Sequence, residues 1–197
     1  MSRLLTIAIL ILFPIFTEAQ KPLDYGHVIN DSSFNCNTSN VPNSQIFGLN
    51  SICDSRNEFE LRLYIFALPA GNRHVIILGY DGIYWNLKKI TRTGGAFGPT
   101  LIEKKMTIDT FSSVQKIFSN VFDSLKTNGL FQLPNATKLK YDQSIMDGVK
   151  FYLTYKANKN FRTYSFDNPR SYYEYNKEII EFKQYDLITT ILYNLAE

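Results

Sequence analysis

The sequence predicts an α+β fold: a single antiparallel sheet of about five strands, in the chain order β-β-β-α-β-β-α, with two helices packed on one face. Three observations carry this. From Phe59 every second residue is apolar (Phe59, Leu61, Leu63, Ile65, Ala67), while the residues between begin charged, as Glu58, Glu60 and Arg62. That is the period-two pattern of a half-buried strand. Asp81-Gly82 separates two further apolar stretches, and Gly accepts the positive φ that a tight hairpin turn needs. Phe111, Val114, Phe118, Val121 and Leu125 recur at steps of three and four, the spacing of one apolar helix face.

The chain of 197 residues opens with Arg3, an apolar run from Leu4 to Phe16 and the small-residue site Thr17-Glu18-Ala19. Residues 1–19 therefore read as a cleaved export signal. The apolar run is shorter than the roughly 20 residues that span a bilayer, so no stable membrane span is expected after cleavage; an uncleaved anchor is the alternative. What remains is one domain by length. Residues 20–57 are polar and rich in Asn and Ser, and are expected to form a loop-like arm before a domain over 58–197. Cys36 and Cys53 both lie in that arm, and an even pair in an oxidising compartment reads as a disulfide. Closing a loop of that size stabilises the fold by about 3 kcal/mol. Neither His27 nor His74 is spaced from the cysteines as a metal ligand would be, so no metal is expected.

Within the domain, Leu68-Pro69-Ala70-Gly71-Asn72 is a turn cluster that ends the first strand. Val75-Ile76-Ile77-Leu78 is continuous enough for a strand buried on both faces, and Ile83 to Thr91 returns with Ile83, Trp85 and Leu87 on one face. Thr93 to Pro99 reads as a flexible Gly-rich connection: it matches neither phosphate-binding glycine pattern, and no cofactor is implied. A helix over Thr107–Asn128 follows, with Ile117 and Phe122 widening its stripe and Gly129 at its C′ position. Asp147-Gly148 is a second turn signal. Val149, Phe151, Leu153 and Tyr155 then alternate with polar residues, and a fifth strand over Phe161–Phe166 stops at Asn168-Pro169. The last helix, which starts between Ser171 and Lys183, places Ile180, Leu187, Ile188, Ile191 and Leu195 on one face.

Charge is uneven: residues 58–171 hold 16 Lys or Arg against 9 Asp or Glu, whereas 172–197 hold 2 against 5. The excess sits on no single element, which argues against nucleic acid as a partner. There is no G-x-S-x-G, and either histidine as a catalytic base lacks a motif around it. Glu58 and Glu60 share a strand face about 6–7 Å apart, a separation that glycoside hydrolysis accepts. Beside Arg62 they read instead as a solvated, ionised face.

Aromatic residues make up 15% of the chain. Tyr164, Tyr172, Tyr173 and Tyr175 gather around Asn168-Pro169 with Arg162 and Arg170 beside them, and Tyr with Arg are the types that anchor binding surfaces. The same tyrosines would also serve to cover the sheet edge beneath the last helix. Asp147-Gly148 before an aromatic strand, Asn160-Phe161-Arg162-Thr163-Tyr164-Ser165-Phe166-Asp167-Asn168-Pro169, Glu60-Leu61-Arg62-Leu63-Tyr64 and the signal ending Ala19-Gln20 together resemble small exported proteins of unknown function from Bacteroidota. The resemblance implies a periplasmic or extracellular location and carries no activity with it. The reading that follows is an exported, non-enzymatic domain that binds a protein or glycan of the cell envelope, with Arg162, Tyr164, Tyr172 and Tyr173 as its ligand-binding residues. The alternative is an envelope hydrolase or hydrolase inhibitor with a cleft framed by Asp81, Trp85 and the Gly94–Gly98 loop.

Overall fold

The computed structural model describes residues 22–29, 44–67, 73–95, 98–104, 112–141 and 148–197. The export signal, Cys36, the 68–72 turn and Asp147 lie outside them, so the expected Cys36–Cys53 pairing falls partly beyond the described chain. Six strands form one antiparallel sheet: β1 (Phe59–Ala67), β2 (Arg73–Tyr80), β3 (Trp85–Gly95), β4 (Gly98–Lys104), β5 (Val149–Ala157) and β6 (Asn160–Asp167), in the spatial order β4-β3-β2-β1-β5-β6. Among the described residues three α-helices, α1 (Ser112–Thr127), α2 (Pro169–Tyr175) and α3 (Ile180–Leu195), complete an α+β fold. β1 is central, paired with β2 on one side and β5 on the other.

The sixth strand corrects the expected Gly-rich connection. β3 continues through Gly95, and Gly94 pairs with Pro99 and Gly95 with Gly98. Pro99 can sit there because β4 is an edge strand, where a missing backbone donor breaks no ladder. The turn before β3 forms as its residues dictate. Gly82 has φ +102°, and Asp81 Oδ1 accepts from the amides of Ile83 (2.8 Å) and Tyr84 (2.7 Å), the local bonding Asp favours in turns. Ile83 consequently belongs to the turn and is exposed, rather than to the strand face.

One face of the sheet carries the helices. Phe59, Leu61, Leu63 and Ile65 of β1 meet Phe118, Phe122 and Leu125 of α1 and Phe182, Tyr185 and Ile188 of α3 in one core. Phe59 lies 5.1 Å from the Phe122 ring and 6.0 Å from Trp85, both edge-on, the aromatic geometry that adds about 0.5–1.5 kcal/mol per pair to simple burial. Ile117 does not widen the α1 stripe; it is 54% exposed. The inward face of α3 is also offset from the expected one: Phe182, Tyr185, Ile188, Thr189 and Leu192 are buried, while Ile180 and Leu187 are exposed.

The opposite face is not solvated. Residues 44–55 lie across it, where Phe47 packs with Tyr64, Phe66, Val75, Ile77 and Ile90. β1 is therefore buried on both faces, and Glu60 and Arg62 are buried charges, joined Nε to Oε1 at 2.7 Å. Asn57 Nδ2 donates to Glu60 Oε2 at 2.8 Å, Ser55 Oγ donates to the same oxygen, and Arg62 Nη1 donates to the Asn50 carbonyl at 2.7 Å. The expected loose arm also reaches the helix side: the Tyr25 ring stands edge-on to Phe122 and Phe131, each 5.9 Å away. Its described parts thus belong to the same packed body as the strands.

Candidate functional site

The tyrosine and arginine cluster predicted as a binding surface is mostly core. On β6, Arg162 and Tyr164 alternate inward with Phe166. Arg162 is only 8% exposed; its guanidinium lies 5.2 Å from the centre of the Tyr164 ring, and its Nη1 lies 3.5 Å from the Phe131 carbonyl. Tyr164 Oη donates to the Leu130 carbonyl at 3.2 Å, and burial pushes its phenol well above the ordinary value. Tyr172, on α2, is buried and stacks on Phe182 with ring centres 5.2 Å apart. Tyr173 is half-buried with Lys177 Nζ 4.2 Å from its ring centre. The structure thus sets Arg162 against Tyr164 on β6 and, separately, Tyr172 against Phe182 and Tyr173 against Lys177. Tyr164 and Tyr172 help fill the core beneath the last helix, the second role the sequence allowed them.

The alternative cleft does not assemble either. Trp85 opens β3 and is buried among Phe59, Tyr80, Phe118 and Phe122. Gly94 lies at the other end of the same strand, which at about 3.3 Å per residue places it roughly 30 Å away. Asp81 is committed to its own turn. The Glu58–Glu60 pair dissolves as well, since Glu58 is exposed and precedes the strand while Glu60 is buried against Arg62.

A groove of about 450 Å³ opens instead at the other end of the sheet, where the close of β1, the start of β2 and the start of β5 meet α3. Its floor is apolar, built from Ile65, Ala67, Val149 and Phe151. These residues share the helix side because Ile65 pairs with Phe151 and Ala67 with Val149. Phe151 is held by stacking on Phe166, with ring centres 5.3 Å apart and planes 15° apart. α3 supplies the wall: Asp186, Thr190 and Asn194 recur every four residues, and Tyr193 stands three after Thr190, the spacings that put side chains on one helix face. Tyr193 is 43% exposed, with Lys89 Nζ 4.9 Å from its ring centre.

The start of α2 places Arg170 on the rim, Nε 3.4 Å from Asp186 Oδ2. That start is fixed locally. Asn168 adopts left-handed φ +36°, and its Oδ1 accepts the Val149 amide at 2.8 Å, tying the end of β6 to the start of β5. Pro169 then occupies the first helical turn, where its missing donor costs nothing. His74 forms the β2 corner, its Nδ1 2.9 Å from Thr91 Oγ1. Burial lowers its pKa, the Lys89 charge lowers it further, and Glu197 opposes both, so the ring is neutral at pH 7. Of the groove residues, the sequence marks Ile65, Ala67, Val149 and Phe151 as strand positions and weighs His74 and Arg170 for function, while Thr190, Tyr193 and Asn194 carry no signal there.

Among the described residues no helix is long and apolar enough to cross a membrane, and no group of three or more His, Cys, Asp or Glu side chains is placed to hold a metal ion. No protein-family model, curated protein or solved structure matches this chain.

Proposed function

We propose that this chain is an exported domain that works by binding a protein or glycan of the cell envelope, and that the partner enters the groove between α3 and the ends of β1, β2 and β5. The observation that supports this is the groove's construction: an apolar floor with a few convergent polar groups, in a volume within the roughly 300–1,000 Å³ of ligand sites. Immobilised wild-type protein and a Thr190→Trp variant, which fills the groove from a half-buried helix position, are compared for retention of components of a cell-envelope extract. A component held by the wild type and lost by the variant, with unchanged thermal unfolding, supports the reading. Equal retention by both refutes it.

The hydrolase alternative has one observation in its favour, the neutral His74 beside the Thr91 hydroxyl at the groove's edge. In that case His74→Gln abolishes turnover of envelope substrates while leaving their binding intact; binding without any turnover by the wild type leaves only the first reading.

A further inference from the structure

We infer that the groove's occupant is a glycan presenting a neutral sugar residue; this rests on the groove being the binding site. The first argument is charge. Arg170 and Asp186 face each other across the rim at 3.4 Å, His74 is neutral, and Lys89, beside Tyr193, is paired with Glu197. An anionic ligand would draw the exposed Arg170 away from Asp186 and leave that carboxylate, 28% exposed, unpaired beside the apolar floor. A ligand without net charge meets no such penalty.

The second argument is the mixture of donors and acceptors. Arg170 only donates, Asp186 only accepts, and Asn194 and Thr190 each do both. The Thr189 hydroxyl donates its proton to the Tyr185 and Asp186 carbonyls, at 3.0 and 2.9 Å, so it can add only an acceptor to this set. Neighbouring hydroxyls on a sugar ring, each at once donor and acceptor, suit such an array. A purely apolar ligand would displace water from these groups and leave them unsatisfied. The sugar's C–H face has a counterpart in Phe151, Val149 and the partly exposed Tyr193 ring, an amphipathic surface of the kind that accepts ligands apolar on one side and polar on the other.

The third argument separates a glycan from a peptide, which is also uncharged along its backbone. Extended peptides gain affinity by adding a strand to a free sheet edge. The groove lies on β1, β2 and β5, all of them inner strands whose backbones pair on both sides, whereas the edges are β4 and β6. The groove therefore offers an extended peptide no free sheet edge to join.

The test is a titration of the ¹⁵N-labelled wild-type chain with glucose, galactose and N-acetylglucosamine, and separately with the anionic sugar N-acetylneuraminic acid, read as amide chemical-shift changes. At least one neutral sugar should shift groove amides with saturation in the millimolar range. Asn194→Ala, at an exposed position, should weaken that binding about tenfold through loss of one polar contact, and Thr190→Trp should abolish it. No saturable groove shift with any neutral sugar, or tighter binding of N-acetylneuraminic acid than of the neutral sugars, overturns the inference. The groove reading then stands or falls separately, by whether Thr190→Trp still eliminates capture of an envelope component.

Discussion

Replacing Arg62 with Met removes the cation from a carboxylate that has almost no access to water. Both side chains of the Glu60–Arg62 pair are 7% exposed, so neither is screened as a surface ion would be. In Arg62→Met, Glu60 keeps the neutral donors Ser55 and Asn57 but loses its countercharge, and the Asn50 carbonyl loses its donor. Breaking a buried pair from one side costs about 3–5 kcal/mol, against a total stability of roughly 5–15 kcal/mol for a domain. Urea unfolding should show that loss as a lower midpoint. The double variant Glu60→Gln with Arg62→Met removes the orphaned charge and should recover a substantial part of it, on the order of 2 kcal/mol. Because Asn50, Ser55 and Asn57 all come from the arm, Arg62→Met should also speed proteolysis within residues 44–57. A loss below about 1 kcal/mol, the range of exposed pairs, or a double variant no more stable than the single one, would refute the claim that the arm seals this pair from solvent.

Gly148→Ala would set a Cβ 2.0 Å from Asn168 Oδ1; Asn168 must move, and losing its bond to the Val149 amide should destabilise the chain by about 1–3 kcal/mol in chemical denaturation. Phe122→Ala, which empties the centre of the aromatic cluster against Phe59, Trp85 and Phe131, should cost about 3–5 kcal/mol by the same assay. His74 holds its proton less tightly when folded than the value near 6.5 expected unfolded. The unfolded chain therefore binds more protons as pH falls below that value, so the contribution from His74 is complete above it and declines beneath it. Thermal midpoints between pH 7 and 5 should fall more steeply for the wild type than for His74→Gln.

The elements with local chemical signals were legible. Asp81 and Gly82 made the turn they predicted, and the α1 stripe buried Phe118, Phe122 and Leu125. β4 escaped because Gly94 and Gly95 at the end of β3 and Gly98 and Pro99 at the start of β4 all disfavour strands; the position of β4 at the sheet edge makes Pro99 tolerable. The burial of Glu60 and Arg62 escaped for a related reason. Alternating charges on a strand imply solvent unless the two charges satisfy each other under a cover, and the cover here is a polar segment whose few anchors, Phe47 and Ile52, are spread among Asn and Ser.

The candidate site was less legible because the residue types that anchor binding surfaces also fill cores. A tyrosine can be buried when its hydroxyl reaches a carbonyl, and Tyr155, Tyr164 and Tyr185 reach those of Ile29, Leu130 and Pro134; composition does not separate the two uses. The groove has no local motif, since its residues run from Ile65 to Asn194. Its cause is a change of side-chain size along α3. The first half of the helix packs Phe182 and Tyr185 onto the sheet, and the second turns Thr189 and Thr190 toward the floor where β1 ends in Ala67. Small residues on both walls leave space that one further large apolar side chain would fill, with a gain of about 1.5–3 kcal/mol from its burial. A core otherwise rich in aromatics leaves that gain unrealised here, beside the paired Arg170 and Asp186.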